Sequence, residues 1–265
     1  MPRTSQRLKR FAIPLIAAGL LFAVFYAGWL RPRHTVPILM YHRFGDGEGS
    51  MFVTRRHLER QMSFLRDHGY HVFSLSEYID EMDSGRPIPP KAVVVTVDDG
   101  YRDNYVEGFP VFKKYRIPAT IFLIADSIGT DPDFMTWDNV RIMSADGIEF
   151  GAHTRRHAYL PEVHEPERLH DEIRGAKEII EANLGKIVRV FCYPAGGFTP
   201  AAKEAVRAAG YIAACTTNRG TDRFNHDRYE LKRIKVSNTD GQKLWHFWVK
   251  LSGYYNLFRS ERAGY

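Results

Sequence analysis

Short apolar segments alternate with amphipathic helical patterns along most of this chain, and this alternation is the feature that most constrains its fold. The segments predicted as strands are 36–42, 71–75, 91–97, 118–124, 148–153, 188–194, 211–217 and 231–236. The helical patterns between them include 54–69, 103–116, 137–146, 165–185 and 199–210. The strand segments are continuously apolar, as parallel strands covered on both faces require. The pattern predicts an α/β fold, a distorted or incomplete (β/α) barrel of seven or eight strands.

Residues 11–30 form an uncharged, mostly apolar stretch that is long enough to cross a hydrocarbon core of about 30 Å as a helix. Four cations precede this stretch and two follow it, so the positive-inside rule places the N-terminus in the cytoplasm and the rest of the chain outside it. A cleaved secretory signal, which would leave an exported soluble form, is the alternative, but Phe25 stands where a cut after Ala27 requires a small residue. We therefore predict a basic tail and membrane anchor at residues 1–34 and one folded domain at 35–265.

The net charge of +6 does not predict a nucleic-acid partner, because the excess charge lies in the N-terminal tail. Residues 1–34 contain six of the 37 lysines and arginines and no acidic residue, and the other 31 cations balance 31 anions. A basic groove is therefore not expected in the folded domain. The two cysteines, Cys192 and Cys215, form neither a disulfide framework nor a four-ligand zinc site. We expect them in neighbouring buried strands, as free thiols or as a single bridge.

Two adjacent carboxylates, Asp98 and Asp99, directly follow the strand segment 91–97. Parallel barrels carry their functional sites at the carboxyl ends of their strands. Successive side chains there point in different directions, so one carboxylate can bind a metal while the other faces a substrate. An ordinary Asp-Gly turn with Gly100 is the alternative.

His153 is the last residue of another strand segment, 148–153, and His157 follows it four residues later. Their spacing puts both imidazoles on one face of a helical turn, as a metal pair requires, and Asp99 can complete a set of two histidines and one carboxylate. Two solvated surface histidines are the alternative. The position of the pair after a strand, in a chain with a double carboxylate after another strand, favours the metal site.

Three segments together carry a resemblance to a known family. TVDDGYRDNY at 96–105, GAHTRRH at 151–157 and RVFCYPAGG at 189–197 occur in the order and at the spacing of that family's successive motifs. In these segments the chain resembles the NodB-type polysaccharide deacetylases of carbohydrate esterase family 4, and the resemblance covers roughly residues 36–236. Members of the family are distorted (β/α)7-type barrels that use a divalent metal, commonly zinc, to remove N-acetyl or sometimes O-acetyl groups from sugars.

The resemblance implies roles for individual residues by their positions in the motifs. Asp98 would be the catalytic base, and the metal ligands would be Asp99, His153 and His157. The backbone N–H of Ala195, which follows Tyr193 in the third motif, would bind the oxyanion, and both residues would lie at the substrate. The metal would be zinc by this resemblance, although cobalt, nickel and iron(II) suit the same ligands.

The chain departs from the commoner third motif at one position. The arginine that orients the catalytic base in that motif aligns with Cys192, and a cysteine cannot orient it. Arg233, in the strand segment 231–236, is our candidate replacement, because a planar cation beside Asp98 would hold that carboxylate ionised and oriented. A surface cation in a strand that contains lysine and arginine is the alternative.

The general acid is a second departure. The family's last motif normally supplies it from a histidine near the C-terminus, but we place it at His42, which ends the first strand in PILMYHRF at 37–44. This resembles the subgroup of exported poly-N-acetylglucosamine deacetylases, in which the barrel order is permuted and an N-terminal Tyr-His supplies the acid. His42 would then protonate the leaving amine. A structural histidine at a strand end is the alternative.

Two aromatic segments are further candidates for contact with ligands. Trp137 and Asp138 can line a sugar cleft, since aromatic faces stack on pyranose rings, although a helix start explains the pair equally well. The stretch 244–258 is rich in aromatic residues. It packs a last helix onto the barrel in one interpretation and contacts the outer face of the membrane in the other.

These observations predict a membrane-anchored hydrolase of the cell envelope that removes N-acetyl groups from an amino-sugar polysaccharide or oligosaccharide. Its partners would be the N-acetylated glycan and, through residues 11–30, the membrane. An iron(II) oxygenase on the same two histidines and Asp99 is an alternative that gives Asp98 no task. A membrane-anchored glycan-binding protein on an inactive barrel is another, supported by Cys192 and opposed by the retained base and ligands. Peptidoglycan, an exported amino-sugar polymer, a lipid-linked sugar and chitin oligomers all fit as substrates.

Overall fold

The computed structural model describes residues 3–259, and of residues 3–13 only the backbone. The chain divides into two compact units, Met1–Thr35 and Val36–Tyr265. In the first unit, helix α1 (Arg3–Phe25) is followed by a π turn and a 3-10 turn that end at Arg33. The stretch Pro14–Arg33 is long and apolar enough to cross a membrane, and none of it is buried. The predicted N-terminal apolar helix is therefore present.

The second unit contains a sheet of parallel strands and a separate small ladder. The strands are β1 (Ile38–Tyr41), β2 (Arg43–Phe44), β3 (Phe52–Val53), β4 (His71–Phe73), β5 (Ala92–Val97), β6 (Thr120–Leu123), β7 (Glu149–Ala152), β8 (Val190–Cys192), β9 (Ala213–Thr216), β10 (Leu231–Lys232) and β11 (Ile234–Lys235). The large sheet has the order β10-β9-β8-β7-β6-β5-β1-β11, with β4 also paired to β5, and β2 pairs with β3.

One short segment closes the sheet into a barrel. Its first half, β10, pairs with β9 at Leu231 and Cys215, and its second half, β11, pairs with β1 at Ile234 and Leu39. Arg233 is the residue between the two halves. The ring of parallel pairings therefore returns to its start, which confirms the prediction of a distorted or incomplete (β/α) barrel of seven or eight strands.

Helices cover the outside of the barrel between the strands. They are α2 (Arg55–Asp67), α3 (Leu75–Asp83), α4 (Phe109–Tyr115), α5 (Trp137–Ala145), α6 (Pro166–His170), α7 (Ala176–Leu184), α8 (Pro200–Ala208), α9 (Asn238–Gln242) and α10 (Leu244–Lys250). Helix α2 shows how the sequence specifies such an element. The Thr54 hydroxyl accepts a hydrogen bond from the His57 N–H at its start, and Leu58, Met62 and Leu65 are buried at helical spacing.

The helical pattern predicted at 165–185 is not one continuous α-helix. A π turn, Asp171–Gly175, separates α6 from α7. A Cβ on Gly175 would lie 3.0 Å from the Arg155 Cδ, so the glycine leaves room for a side chain that crosses the helix there. A second π turn, Asn104–Gly108, precedes α4 in the same way. Hydrophobic periodicity does not reveal such one-residue insertions.

The barrel is filled by apolar side chains. All six residues of β5 and all four of β1 are buried, as the continuous apolar runs predict. The two cysteines are free and buried, and Cys192 lies directly opposite Cys215 across β8 and β9. The expectation of two cysteines in neighbouring buried strands is confirmed, with both as free thiols.

Candidate active site and metal centre

A cavity of about 570 Å³ opens at the carboxyl ends of the barrel strands. Seven of the nine residues predicted for the site line it. They are His42, Asp98, Asp99, His153, His157, Ala195 and Arg233. They follow β1, β5, β7 and β8 or lie between β10 and β11, and the carboxyl ends of parallel strands meet at one edge. The topology therefore brings together residues that are far apart in the chain.

Asp99 lies between two imidazoles. Its Oδ1 is 3.5 Å from the Nε2 of His153 and 3.5 Å from the Nε2 of His157. Ligand bonds of about 2.1 Å at tetrahedral angles place two ligand atoms about 3.4 Å apart. The three donor atoms lie within 4.8 Å of one another. Their types and spacing therefore fit a divalent metal ion.

The surroundings of His153 and Asp99 support this fit. The His153 Nδ1 lies 2.7 Å from the Cys192 carbonyl oxygen, so this ring nitrogen carries the proton and leaves the Nε2 lone pair for a metal. Burial lowers the pKa of His153 to about 3, which keeps the imidazole neutral, as a ligand must be. Burial and the Asp98 charge raise the pKa of Asp99 to about 7. A cation beside Asp99 would offset both effects and hold it ionised.

The backbone turns the two adjacent carboxylates apart. Asp99 has a φ of 77°, in the left-handed region that residues other than glycine seldom adopt. In this conformation Asp98 faces Arg233 while Asp99 faces the histidines. Such a conformation costs about 1–3 kcal/mol and persists only where the surroundings hold it. The pair is thus not an ordinary surface turn.

Arg233 holds Asp98 through two hydrogen bonds. Its guanidinium donates to Asp98 Oδ1 at 2.5 Å and to Oδ2 at 2.7 Å. It also donates to the Thr216 carbonyl and to the Thr96 hydroxyl, each at 3.1 Å. Burial alone would raise the pKa of Asp98, but the Arg233 charge and hydrogen bonds hold it well below its usual range. Asp98 is therefore ionised throughout the neutral range.

Arg233 itself is 1% exposed, so the alternative of a surface cation is wrong. The small Cys192 side chain lies beside it, with Sγ 3.0 Å from the Arg233 Nη2. The Arg233 guanidinium thus reaches the Asp98 carboxylate from the segment that closes the barrel, and the small Cys192 side chain does not obstruct it.

A second group of donors, Asp98, His153 and Cys192, also lies within 4.8 Å. Two of its members already contact the Arg233 guanidinium, and a fixed positive charge repels a metal cation. The group with Asp99 is therefore the better metal site.

His42 lies on the other side of Asp98. Its Nε2 is 3.7 Å from Asp98 Oδ2, and its side chain is 18% exposed, so a substrate in the cavity can reach it. Burial lowers the pKa of His42, against the opposing effect of the Asp98 charge. The expectation that the C-terminal region lacks the Leu-x-His pattern of the family's acid is wrong, because Leu-x-His occurs at residues 244–246. Its His246 packs against Trp245 in α10 and is not among the residues found to line the cavity.

Two predicted substrate contacts lie elsewhere. Tyr193 is fully buried and stacks on Phe198 with ring centroids 4.9 Å apart. Trp137 begins α5 and packs beside Gly129. Neither is among the described residues that line the cavity. Ala195 does line it, in a 3-10 turn where its φ is 50°.

Sequence reasoning missed an aromatic pair at the cavity. Tyr101 and Phe134 stack with ring centroids 4.8 Å apart and both line the cavity. The Arg43 guanidinium lies 4.2 Å from the Tyr101 centroid and forms ion pairs with Asp103 and Asp133, which fixes the pair in place. Tyr101 was within reach of sequence analysis because it follows the double carboxylate. Phe134 lies in a loop without any such signal.

A family model and several known proteins that are similar to this chain all carry the name of a deacetylase. The family model described as polysaccharide deacetylase matches residues 85–214. YxkH of Bacillus subtilis (strain 168) is 32% identical over 213 residues, which cover 80% of this chain and 75% of that protein. Its name describes it as a polysaccharide deacetylase. The poly-beta-1,6-N-acetyl-D-glucosamine N-deacetylase of Staphylococcus epidermidis is 26% identical over 212 residues, or 74% of this chain and 72% of that one.

A solved structure is also similar to this chain. The structure of IcaB from Ammonifex degensii superposes with a TM-score of 0.71 at 26% identity, and the match covers 81% of this chain and 97% of that one. The match therefore covers most of this chain and nearly all of that protein.

Proposed function

The chain belongs to the polysaccharide deacetylase family, and on that premise we propose that it is a metal-dependent hydrolase that removes N-acetyl groups from an amino-sugar glycan. The observation that carries the proposal is the difference between the surroundings of two neighbouring carboxylates, Asp98 and Asp99. Asp99 faces two imidazoles at metal-ligand spacing, while Asp98 is held ionised by Arg233 beside them. Hydrolysis uses both arrangements, and oxygen chemistry would use only the first.

Asp99, His153 and His157 would hold the metal, zinc by family resemblance, with cobalt, nickel or iron(II) compatible with the same ligands. A divalent cation there supplies Lewis acidity to the acyl oxygen and lowers the pKa of a bound water. Asp98, ionised and fixed in direction by Arg233, accepts a proton from the attacking water. The net reaction adds the hydroxyl of water to the acyl carbon and its proton to the amine, which yields acetate and a free amino sugar.

His42 and Ala195 complete the proposed reaction. The backbone N–H of Ala195, presented by the turn that follows β8, stabilises the negative charge on the acyl oxygen. His42, 3.7 Å from Asp98 and open to the cavity, protonates the amine nitrogen as the carbon–nitrogen bond breaks. An amine is a poor leaving group without this proton, so we assign the general acid to His42.

The proposed substrate is an N-acetylated glycan of the cell envelope. A relative that is 26% identical acts, by its name, on poly-beta-1,6-N-acetyl-D-glucosamine, and this supports an amino-sugar polymer. The stacked rings of Tyr101 and Phe134 at the cavity suit the apolar face of a pyranose. Residues 1–34 would anchor the chain by a single membrane span with the N-terminus in the cytoplasm, and the domain at 35–265 would act outside it.

The alternative of a glycan-binding protein on an inactive barrel rests on Cys192. We favour the enzyme because Arg233 supplies the guanidinium that Cys192 lacks, and it does so in bidentate geometry on Asp98. Loss of the base or of a ligand would be expected in an inactive barrel, and none of these residues is replaced.

Acetate release from N-acetylglucosamine oligomers by the full chain in detergent tests the proposal. Release should be lost after treatment with a chelator and should return when zinc is added. A folded, zinc-loaded protein that releases no acetate from amino-sugar oligomers, peptidoglycan fragments and lipid-linked amino sugars would contradict the proposal and favour the binding alternative.

A further inference from the structure

The loop between the two predicted metal-ligand histidines is held by a carboxylate that lies outside the cavity. Glu172, in the π turn Asp171–Gly175, is only 1% exposed. Its Oε2 accepts hydrogen bonds from the backbone N–H of Arg155 at 3.1 Å and of Arg156 at 3.0 Å. Its Oε1 accepts from the Arg156 guanidinium at 2.8 Å. One buried side chain thus pairs with two consecutive peptide units of the loop.

The opposite side of the same loop is also paired. The carbonyl of Thr154 accepts from the Ala125 N–H at 3.2 Å, and the carbonyl of Arg155 accepts from the Asp126 N–H at 2.9 Å. These donors follow β6, whereas Glu172 lies between α6 and α7. The loop is therefore held between two elements. Backbone N–H groups that follow β6 donate to its carbonyls, and the Glu172 side chain accepts from its N–H groups.

The conformation held in this way is an unfavourable one. Thr154 has a φ of 61° and His157 a φ of 59°, both in the left-handed region. Residues other than glycine seldom adopt this region, and they keep it where the surrounding structure holds the backbone in place. Without the Glu172 side chain, the Arg156 N–H would lose its acceptor and the Arg155 N–H would keep only the Glu172 backbone carbonyl, so the loop would be freer to relax.

The two histidines depend on this support to different degrees. His153 directly follows β7 and is anchored by the Cys192 carbonyl, so it is fixed independently of the loop. The His157 side chain is 44% exposed and directly follows residues 154–156. Its position relative to Asp99 therefore depends on the loop conformation.

We propose that Glu172 is a positioning residue that presets the loop so that the His157 Nε2 stays at metal-ligand distance from Asp99. This inference rests on the proposed function, in which these residues bind the metal. The π turn serves this role, because it brings Asp171 and Glu172 to the two arginines of the loop, and Gly175 leaves space for the Arg155 side chain. Groups that hydrogen-bond a metal ligand directly typically change metal affinity 10–100-fold when they are removed, and we expect an effect of the same order from the residue that holds the loop carrying His157.

Zinc affinity of the full chain in detergent, measured by competition with a chromophoric chelator, tests the proposal. Glu172→Ala should bind zinc roughly 10–100-fold more weakly than wild type. Glu172→Gln, which keeps the shape and an acceptor oxygen but loses the charge that pairs with Arg156, should lie between the two. The visible absorption of the cobalt-substituted protein should change with the variant, because it reports the ligand geometry directly.

Glu178→Gln is the matched control, since Glu178 lies on α7, is exposed and pairs with Arg174. Its zinc affinity should equal that of wild type. Equal zinc affinity and an equal cobalt spectrum in folded Glu172→Ala and Glu172→Gln would overturn the inference, even if their unfolding temperature fell, because that is the result of a merely structural role. A wild-type chain that binds zinc but releases no acetate would instead contradict the proposed function alone.

Discussion

Arg233 reaches Asp98 from the segment that closes the barrel and donates one hydrogen bond to each carboxylate oxygen, at 2.5 and 2.7 Å. The two residues are 135 positions apart in the chain and both are buried. Removal of one partner of a buried pair costs about 3–5 kcal/mol, because the other charge is left uncompensated. The orientation of the proposed base therefore depends on the closure of the barrel.

Replacement of Arg233 should move the pH dependence of catalysis. Asp98 must be ionised to accept a proton, and in the wild type its pKa is held well below the usual value, so its own protonation does not set the acidic limb of the activity profile in the mildly acidic range. In Arg233→Met, burial without the guanidinium raises the pKa of Asp98, so the acidic limb of the kcat/KM profile moves to higher pH. The profile of kcat/KM against pH, with zinc content measured in parallel, checks this shift.

Arg189→Met is the control for the Arg233 variant. Arg189 forms an exposed bidentate pair with Asp80 outside the cavity, so its loss should leave the profile unchanged. An Arg233→Met protein that is folded, zinc-loaded and active with the wild-type profile would show that Arg233 does not orient the base.

Replacement of His42 should affect only substrates whose leaving group needs a proton. His42→Ala should lower kcat on an N-acetylated oligosaccharide by roughly 10²–10⁴-fold with zinc content unchanged, the range typical of a lost general acid. Hydrolysis of p-nitrophenyl acetate should be far less affected, since p-nitrophenolate leaves without protonation. Steady-state rates on the two substrates measure the difference. Equal losses on both would assign His42 a structural role.

Phe134→Ala should weaken binding of the glycan without changing the chemistry. Phe134 stacks on Tyr101 at the cavity, and an aromatic contact of about 0.5–1.5 kcal/mol corresponds to a rise in KM of roughly 2–10-fold. The rate on p-nitrophenyl acetate should stay the same. Phe258→Ala removes an aromatic side chain that is 87% exposed and serves as the control. A fall in kcat with unchanged KM would place Phe134 in catalysis and not in binding.

The two cysteines should remain free in the folded protein. Cys192 and Cys215 are both buried, and burial raises the pKa of each thiol, so neither is a reactive thiolate. A thiol reagent should label neither cysteine under native conditions and both after denaturation without a reductant. Fewer than two reactive thiols in the denatured protein would reveal a bridge.

The proposed metal ligands were accessible to sequence analysis because one topological rule governs them. Asp99 comes two residues after the predicted strand 91–97 and His153 ends the predicted strand 148–153, and the carboxyl ends of parallel strands share an edge. The burial of Arg233 was not accessible in the same way, because a cation in a short strand is as compatible with the surface as with the core. Its burial follows from the closure of the barrel, which depends on pairings with both β9 and β1.

Other features depend on packing that leaves no local pattern. The apolar character of Tyr193 and Trp137 suits a sugar cleft and a protein core equally, and the structure places both outside the lining of the cavity. Phe134 reaches the cavity from a loop whose shape depends on its contact with Tyr101. Glu172 lies in a π turn that hydrophobic periodicity does not distinguish from a continuous helix.

The most direct test of the account compares Asp98→Asn with Asp99→Asn, two isosteric changes at adjacent positions. Zinc stoichiometry and acetate release from N-acetylglucosamine oligomers are measured on each purified full chain. We predict that Asp98→Asn retains zinc and loses acetate release, whereas Asp99→Asn loses zinc affinity and, with it, acetate release. An Asp98→Asn protein that releases acetate at the wild-type rate, or an Asp99→Asn protein that binds zinc as tightly as wild type, would contradict the division of labour between the two carboxylates.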